Sequence, residues 1–548
     1  MIRRAARCLV AGALGALAGC AAPAHPPLDP GGAASVRAPL VAVVVLDQMG
    51  SWVLERHLPQ LPADGAIRSA IARGAWHRRV AYEHAATLTA PGHATIFTGA
   101  PPSESGVGSN RRFLLGRGRT SIVDDGEHGV LGNDKAFASP SLLRAEGVVD
   151  ALERSTGGAA RTLSISVKDR SAVIPGGKDA DLAIWLDKRA GRFTTSTYYA
   201  DALPPWLAAW GAAHPIELAL DDWTPRDPAL LLAHAGEDGG AGEGDYLGFG
   251  ATFPHRLRGD HALELFELSP ASAEMLVDLA IEGTRVMGFG QDEVPDLLAL
   301  SISSTDLVGH TFGPESWEAL DNLMRVDVAL GRLIQALGRR APVSLLITAD
   351  HGVAPMPERS RAEGRVSVRY SGASLVTAVD EAFDRILGAG DWVLGYSPPF
   401  VQLAAEARAQ ARFPEARDAA LGALRRVPGI AAAFDARAAE AWRDDADPLR
   451  RAVGRAVPPG GPGDLFIVSA PLSIYDEEVP VGHGTTHGSP WSYDAEVPVI
   501  LAGPGVEHVE VRERESARRI AATIAALLGI DAPAHARVAP LSGVRAPR

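Results

Sequence analysis

Four apolar segments of this chain are each followed by a polar residue suited to binding metal or phosphate. The segments are 40–46, 163–167, 297–304 and 343–348. Runs of this length, bounded by turn residues and separated by helical patterns, are typical of buried strands in a parallel sheet. Ligands bind beyond the carboxyl ends of the strands in open α/β sheets, so the polar residues should converge at one edge. These residues are Asp47, Lys168, Asp306, Asp350 and His351.

Other patterns complete a mixed α/β fold with a central, mostly parallel sheet flanked by helices. Apolar spacing predicts a helix over 317–337 and another over about 516–528, and 497–503 indicates a short closing strand. The segments 182–186 and 193–199, joined by a turn around 188–191, indicate a hairpin. The glycine-rich segment 236–250 is interpreted as a surface loop. No clean boundary separates the polar residues, so we predict one catalytic domain over 39–548 with inserted lobes near 185–290 and 357–480.

The N-terminus has the features of an export signal. Residues 1–7 contain three arginines, and the apolar stretch 8–18 is too short to span a bilayer. Leu17-Ala18-Gly19-Cys20 resembles the bacterial lipobox, which predicts a signal peptide over 1–19 and an acylated Cys20. Residues 20–38 then form a flexible tether. We expect an exported, periplasm-facing lipoprotein anchored in a membrane, the outer one because Ala21 and not Asp follows Cys20; an ordinary secretory signal is the alternative.

Composition narrows the possible functions. Of 548 residues, 46% are hydrophobic and 22% charged, as in ordinary globular proteins. The formal charge of −13 becomes more negative once the signal arginines are removed, which argues against a nucleic-acid-binding surface. Cys8 and Cys20 are the only cysteines, so no disulfide and no cysteine metal ligand is expected in the domain. No protein partner is predicted.

The polar residues after the apolar segments have the composition of a metal site. Asp306 and His310 are four residues apart, a spacing that lets a first helical turn present both to one ion. Alone, the pair is better explained by a capping aspartate and a packed histidine. Asp350-His351-Gly352 is a stronger signal, because adjacent Asp and His at a strand end cannot both point into a core; a turn is its alternative. Together with Asp47 and the loop histidines, the set supplies three aspartates and three or four histidines. That suffices for two zinc ions bound through nitrogen and oxygen. The loop histidines are His483 and His487.

Thr89 is the candidate nucleophile. It precedes Pro91 at the predicted start of a helix, so its side chain could simply be the N-cap. The same geometry places a hydroxyl beside free backbone N–H groups that can hold an anion. A neighbouring metal ion would lower the pKa of the hydroxyl and make it a nucleophile.

These motifs, in this order, resemble the alkaline phosphatase superfamily, in particular its bacterial branch with a threonine nucleophile, related to the type I phosphodiesterase/nucleotide pyrophosphatases. The resemblance covers nearly the whole chain after the tether. It is carried by Leu46-Asp47-Gln48-Met49, Thr89-Ala90-Pro91-Gly92-His93, Gly106-Val107-Gly108-Ser109-Asn110, Ser166-Val167-Lys168-Asp169-Arg170, Thr305-Asp306-Leu307-Val308-Gly309-His310, Ala349-Asp350-His351-Gly352 and Gly484-Thr485-Thr486-His487-Gly488-Ser489.

The resemblance implies a role for each residue. One zinc would be held by Asp306, His310 and His487, and the second by Asp47, Asp350 and His351, with Thr89 alongside. The family pattern selects His487 over His483 and makes His93 a packing residue. Asn110 would bind a phosphoryl oxygen; a simple turn residue is its alternative. The fold implied is the alkaline-phosphatase fold, and the cofactors are two zinc ions.

Lys168 and Arg170 bear on the substrate class. The resemblance places both on the phosphoryl oxygens, and two cations there favour a phosphate monoester dianion over a diester. A solvated strand end is the alternative for both residues. The predicted activity is hydrolysis of phosphate monoesters through a phosphothreonine intermediate. The alternatives are a phosphodiesterase or nucleotide pyrophosphatase with the same site, and a lipid-anchored binding protein on an inactive fold. A serine hydrolase is disfavoured because no Gly-x-Ser-x-Gly motif follows an apolar strand.

Overall fold

The computed structural model describes residues 39–114, 117–476 and 482–545. The predicted signal peptide, the predicted acylation site Cys20 and the predicted tether over 20–38 lie outside the described residues. Within the described residues, no helix combines the length and the apolar character that crossing a membrane requires.

The described part of the chain alternates strands and helices. In chain order the strands are β1 (Leu40–Leu46), β2 (Ala75–Ala81), β3 (Arg111–Leu114), β4 (Gly118–Ser121), β5 (Gly129–Val130), β6 (Asn133–Phe137), β7 (Thr162–Ser166), β8 (Leu182–Asp187), β9 (Arg192–Thr194), β10 (Asp296–Ile302), β11 (Val343–Thr348), β12 (Arg369–Tyr370), β13 (Val393–Ser397), β14 (Phe400–Leu403), β15 (Ile430–Asp435), β16 (Leu465–Ser469), β17 (Ile474–Tyr475), β18 (Glu496–Ala502) and β19 (Val509–Ser516). The α-helices are α1 (Ser51–His57), α2 (Ala66–Arg73), α3 (Thr89–Thr98), α4 (Pro102–Ser105), α5 (Val148–Thr156), α6 (Asp169–Gly176), α7 (Pro205–Ala213), α8 (Pro228–Ala235), α9 (Ala262–Leu268), α10 (Pro270–Val286), α11 (Ser304–Phe312), α12 (Trp317–Gly338), α13 (Pro357–Ala362), α14 (Gly372–Leu387), α15 (Ala405–Arg408), α16 (Phe413–Leu424), α17 (Ala436–Ala439), α18 (Pro448–Ala456), α19 (Ser492–Ala495) and α20 (Arg519–Leu528).

A mostly parallel sheet forms the centre of the molecule. Among the described residues its nine strands have the order β19-β2-β18-β11-β1-β10-β7-β8-β9. β11, β1, β10, β7 and β8 are mutually parallel, whereas β18 is antiparallel to β11. β1, β10 and β11 are buried along their whole length, because helices cover both faces of a parallel sheet. The prediction of a mostly parallel sheet flanked by helices is confirmed.

Some strands and helices begin or end at residues other than those predicted, because a turn or a helix start interrupts the apolar pattern. The strand predicted over 297–304 ends at Ile302, because Ser304 begins α11. The second hairpin strand ends at Thr194 and not at residue 199. The closing helix begins at Arg519, three residues later than predicted. Such shifts at element ends leave the order of the elements unchanged.

A smaller sheet lies inside the segment predicted as the second insertion. Its strand order is β13-β14-β16-β15, and α14 and α16 pack on it around a hydrophobic cluster of their own. The division of the chain into a domain with two inserted lobes stays a prediction. The glycine-rich segment 236–250 joins α8 to α9 without regular secondary structure, as its composition predicts.

Candidate active site

The predicted site residues gather at the carboxyl edge of the central sheet. Asp47 follows β1 directly, and its backbone N–H donates to the carbonyl of Ile302 at the end of β10, at 3.1 Å. Asp350 comes two residues after the end of β11, the other neighbour of β1. Thr305 Oγ1 donates to the Asp47 carbonyl at 2.6 Å, which ties the start of α11 to the same edge.

Asp47, Asp350 and His351 form the first cluster. His351 Nε2 lies 3.4 Å from Asp47 Oδ1 and 3.5 Å from Asp350 Oδ2, and all three side chains are fully buried. One possible ligand atom from each residue lies within 4.8 Å of the others. The cluster therefore offers two oxygens and one nitrogen to a single ion.

Asp306, His310 and His487 form the second cluster, again with ligand atoms within 4.8 Å of one another. Asp306 lies in the first turn of α11 and His310 one turn later, so both side chains are on one face of the helix. Asp306 Oδ1 is 3.2 Å from His310 Nε2 and 3.6 Å from His487 Nε2. The His351 and His487 rings stack at a centroid distance of 3.6 Å, which joins the two clusters.

The three imidazoles share one tautomer. Each Nδ1 faces a backbone carbonyl, which only accepts, so Nδ1 carries the proton and a neutral ring presents an unprotonated Nε2 to its cluster. Burial lowers the pKa of His351, and burial with the neighbouring His351 and His310 lowers the pKa of His487 well below its usual value. The rings are thus held in the form that binds metal. The accepting carbonyls for His351, His310 and His487 are those of Gly352 (2.9 Å), Thr485 (2.9 Å) and Thr87 (2.8 Å).

The carboxylates are not satisfied by the protein alone. Among the described residues, the buried atoms Asp47 Oδ1 and Asp350 Oδ2 have no hydrogen-bond partner. Burial, and then the carboxylates of Asp306 and Asp350, raise the pKa of Asp47 well above its usual value. Burial alone would also raise the pKa of Asp306, but His310 and Lys168 outweigh it and hold that pKa well below its usual value. Unpaired buried oxygens beside unprotonated imidazoles fit divalent cations that accept nitrogen and oxygen ligands.

Lys168 lies between the two clusters. Its Nζ is 2.6 Å from Asp47 Oδ2 and 2.5 Å from Asp306 Oδ2. Burial disfavours the charged ammonium, but the carboxylates of Asp306 and Asp47 outweigh burial and raise the pKa of Lys168. Lys168 therefore supplies positive charge to the centre of the site. Arg170 lies nearby, in the first turn of α6, with its guanidinium 3.8 Å from Asp169 Oδ1.

Thr89 is the first residue of α3 and not its N-cap. The N-cap position belongs to Leu88, and no side chain of that residue caps the helix, so the cap prediction for Thr89 is wrong by one residue. The amide of Asn110 takes over this role, since its Oδ1 accepts from the Ala90 N–H at 2.8 Å. The Thr89 hydroxyl is buried, and its Oγ1 lies 3.5 Å from His351 Nε2. This position is compatible with a nucleophile beside the first cluster.

The remaining predicted histidines lie outside both clusters. His93 Nδ1 is 2.8 Å from the Thr89 carbonyl and 3.2 Å from Asp350 Oδ2, and its Nε2 is 2.9 Å from Ser301 Oγ. This buried ring packs behind Thr89 and Asp350, as the resemblance implies. His483 is exposed, and its Nδ1 donates to the Glu243 carbonyl at 3.0 Å.

Gln48 is a site residue that the sequence analysis missed. Its backbone N–H donates to Asp350 Oδ1 at 3.2 Å, and its Nε2 donates to Asp306 Oδ1 at 2.7 Å. Gln48 has a positive φ of 69°, a conformation that aims it across the site, and a Cβ at Gly309 would lie 2.0 Å from Gln48 Oε1. Its place next to Asp47 at a strand end was the available signal.

Asp494 was also missed. Its Oδ2 accepts from the backbone N–H of Ser489 at 2.9 Å and from Ser489 Oγ at 2.5 Å, so it holds the loop that carries His487. The backbone carbonyl of Asp494 accepts from Gly352 N–H at 2.7 Å, next to His351. One buried residue thereby fixes two ligand-bearing segments. A cleft of about 350 Å³ opens beside this loop, lined by Leu88, Asn110, Arg119, Pro398, Tyr475 and His487 among others.

Comparison with known families agrees with this geometry. A family model described as "Type I phosphodiesterase / nucleotide pyrophosphatase" matches residues 41–421. The chain belongs to this family. The match includes Asp47, Thr89, Asp306, Asp350 and His351, whereas His487 lies beyond its end.

Curated relatives match over almost their full length. Alkaline phosphatase PafA of Elizabethkingia meningoseptica is 27% identical over 530 residues, which cover 93% of this chain and 94% of PafA. Alkaline phosphatase PhoV of Synechococcus elongatus is 27% identical, with 91% of each chain covered. The crystal structure of wild-type PafA has a TM-score of 0.85 at 25% identity and covers 93% of this chain and 99% of that chain. The predicted alkaline-phosphatase-like fold is confirmed.

Proposed function

We propose that this chain hydrolyses phosphate monoesters at two zinc ions, with Thr89 as the nucleophile. The full-length similarity to several alkaline phosphatases makes the chain a phosphoric monoester hydrolase of this superfamily. The observation that carries the proposal is the pair of three-ligand clusters beside the buried hydroxyl of Thr89. The zinc ions, the covalent intermediate and the roles of the individual residues are the proposed part.

The ligand atoms divide between two ions. Asp47, Asp350 and His351 would hold one, with Thr89 next to it, and the second cluster described above would hold the other. When bound, two divalent cations would neutralise phosphoryl charge and lower the pKa of the Thr89 hydroxyl and of water.

The protein residues act on the substrate as follows. Thr89 Oγ1 gives up its proton to water and attacks phosphorus; the P–O bond to the alcohol breaks, the leaving alkoxide takes up a proton from water, and a phosphothreonine forms. Water then attacks phosphorus from the opposite side, which releases inorganic phosphate and restores Thr89. Throughout, Asn110 and the N-terminus of α3 donate hydrogen bonds to phosphoryl oxygens, and Lys168 and Arg170 balance their charge.

The charges near Thr89 favour a monoester over a diester. A monoester dianion brings one more negative charge than a diester, and the ammonium of Lys168 lies at the centre of the site to receive it. The family also contains phosphodiesterases by its description, so diester hydrolysis at the same site is the second candidate. Turnover of an aryl phosphate and of its methyl aryl diester by one preparation separates the two.

Replacement of Thr89 tests the nucleophile. We expect Thr89→Ala to lower turnover at least about 10³-fold while zinc content, measured by elemental analysis, stays the same. Thr89→Ser is the matched control, because it keeps a hydroxyl and should still form a phosphoenzyme that acid quenching and mass spectrometry detect. Turnover of Thr89→Ala within about tenfold of the wild type would contradict the assignment.

Export and lipid anchoring at Cys20 are proposed from the sequence alone. The arginine-containing start, the short apolar stretch and the lipobox-like Leu17-Ala18-Gly19-Cys20 support them. Expression in a diderm host with radiolabelled fatty acid should label the wild-type chain and not Cys20→Ser. Equal labelling of both chains would contradict acylation at this residue.

A further inference from the structure

A third group of acidic side chains lies outside the active site. Asp238, Glu243 and Glu318 each offer a carboxylate oxygen that lies within 4.8 Å of the other two. The first two belong to the glycine-rich loop between α8 and α9, and Glu318 is the second residue of α12. We name these three residues the loop carboxylate cluster. None of them has a role in the proposed phosphatase reaction.

One oxygen of each residue in this cluster is buried without a partner. Among the described residues, Asp238 Oδ1, Glu243 Oε2 and Glu318 Oε2 make no hydrogen bond, and the Glu318 side chain has no exposed surface at all. Removing a carboxylate oxygen from water without giving it a partner strongly destabilises the folded state. An oxygen of each residue lies close enough to the other two for one bound ion to contact all three.

The protein itself orients the cluster. Asp238 Oδ2 accepts from the Phe253 N–H at 2.9 Å, and Glu318 Oε1 lies 2.9 Å from His255 Nε2. Each bond uses one oxygen of its carboxylate, and the other oxygen has no hydrogen-bond partner among the described residues. His255 is in turn fixed, because its Nδ1 faces the Phe249 carbonyl at 3.1 Å and its ring is fully buried.

Charge within the protein does not balance this cluster. Within the described residues, no lysine or arginine forms an ion pair with Asp238, Glu243 or Glu318; the basic group that contacts the cluster is the imidazole of His255, beside Glu318. Burial lowers the pKa of His255, which disfavours the imidazolium that could offset one of the three carboxylates. Burial, and then the Glu318 carboxylate, raise the pKa of Glu243 to about 9. The charged forms therefore need a cation between them.

We propose that the loop carboxylate cluster binds a calcium ion. Its donors are oxygen only, which selects a hard cation over zinc, whereas the active-site clusters mix nitrogen and oxygen. Calcium accepts six to eight oxygens in irregular geometry, and a loop without regular structure can add backbone carbonyls. Magnesium demands a near-octahedral set and usually keeps several waters, which suits three converging carboxylates less well.

The loop that calcium would hold lies against the second zinc cluster. Gly244 N–H donates to the Thr311 carbonyl at 3.1 Å, one residue after His310. Gly484 N–H donates to the Gly242 carbonyl at 2.6 Å, in the segment that leads to His487. The ion would thus order a loop that supports His310 and His487 from outside. Its role is structural, and it stands whether or not the proposed phosphatase mechanism is correct.

Terbium luminescence provides a test on the zinc-loaded, full-length protein. Terbium replaces calcium and emits when a nearby tryptophan is excited; the Trp223 ring centroid is 5.4 Å from that of His255, which contacts Glu318. We expect one sensitised terbium site per chain that calcium displaces. Glu243→Gln should weaken this binding at least about tenfold, with zinc content unchanged. Glu237→Gln, an exposed neighbour with the same charge change, should bind terbium like the wild type.

Three results would overturn the proposal. The first is that Glu243→Gln binds terbium as tightly as the wild type. The second is that magnesium displaces terbium at a lower concentration than calcium does. The third is that protein equilibrated with calcium contains none when it is analysed after desalting. If Glu243→Gln does not fold, Asp238→Asn takes its place, because Asp238 is partly exposed and its loss of charge is less disruptive. All readouts are independent of catalysis, so failure here and failure of the phosphatase proposal are distinguishable.

Discussion

The two edges of the central sheet both bury aspartates, but only one edge leaves them unsatisfied. At the amino edge, Asp296 begins β10, and its two oxygens accept from the N–H groups of Arg161 at 2.8 Å and Gly290 at 2.6 Å. At the carboxyl edge, Asp47 and Asp350 each retain a buried oxygen that lies near imidazole nitrogens but has no hydrogen-bond partner among the described residues. Aspartates that are equally buried therefore have two different roles. A satisfied aspartate holds the fold together, and an unsatisfied one is kept for a ligand.

Replacing one aspartate at each edge of the sheet should give the largest difference in zinc content and turnover. Asp350→Asn removes a charged ligand, so we expect zinc at the first cluster to be lost and turnover to fall at least about 10³-fold. Asp296→Asn places an amide NH₂ against a backbone N–H and should cost about 1–3 kcal/mol of unfolding free energy, with turnover nearly unchanged. Elemental analysis, kinetics and urea denaturation measure the three quantities. Similar turnover losses in both variants would break the comparison.

The second contrast concerns the charge that Lys168 supplies at the carboxyl edge. We expect Lys168→Ala to lower hydrolysis of an aryl phosphate by about 10²-fold and that of its methyl diester far less, because the monoester carries the extra charge. Lys178→Ala is the matched control, since Lys178 is exposed at the opposite end of α6. Equal losses for both substrates would show that Lys168 serves the carboxylates and not the phosphoryl group.

The loop carboxylate cluster extends the comparison away from the sheet. Its oxygens without a hydrogen-bond partner predict that a bound ion stabilises the fold, as at the carboxyl edge of the sheet. Unlike that edge, the cluster takes no part in the proposed reaction. Calcium at about a hundred times its Kd should raise the unfolding free energy of the wild type by about 2–3 kcal/mol. Asp238→Asn should reduce this increment, whereas Asp296→Asn should keep it in full. Thermal unfolding at several calcium concentrations checks both expectations, and an equal increment in Asp238→Asn would contradict them.

Asp494 is intermediate between the two kinds of aspartate, and its replacement should have the smallest effect, a change in stability with pH. One of its oxygens accepts two bonds from Ser489, the other has no partner among the described residues, and burial raises its pKa to about 7. Because the folded state holds this proton more tightly than the unfolded state, the contribution of Asp494 to stability falls as pH rises from about 4 to about 7 and levels off above that. Relative to wild type, Asp494→Asn should gain on the order of 1 kcal/mol between about pH 6 and 8. A pH-independent difference would argue against the raised pKa.

Local patterns in the sequence were sufficient for the parts of the structure that depend on short stretches of chain. The strands at 40–46 and 343–348 have the predicted bounds, because uninterrupted apolar runs of that length have few other stable arrangements. The rule that ligands gather at the carboxyl ends of parallel strands predicted that Asp47 and Asp350 would meet. The assignment of individual ligands came from the family resemblance and not from spacing.

The features that were missed depend on contacts between distant parts of the chain. Asn110 displaces Thr89 from capping α3, although 20 residues separate it from Ala90. Gln48 reaches Asp306 across 258 positions; its place beside Asp47 marks it as lying near the site but does not indicate this partner. The loop carboxylate cluster joins residues of a glycine-rich loop to a helix start about 80 residues later, and the acidic residues of that loop have no periodicity to mark them.

The orientation of the Asn110 amide affects which ionic form of a phosphate monoester binds in the cleft. Its oxygen is committed to the Ala90 N–H, so only its NH₂ can face the cleft. A phosphoryl oxygen that carries a proton would present hydrogen to hydrogen there. Since a phosphate monoester loses its second proton near pH 6, this side chain favours the dianion, whose phosphoryl oxygens all accept, over the monoanion. The choice between ionic forms of the substrate would then depend in part on the orientation of a neutral group that never titrates.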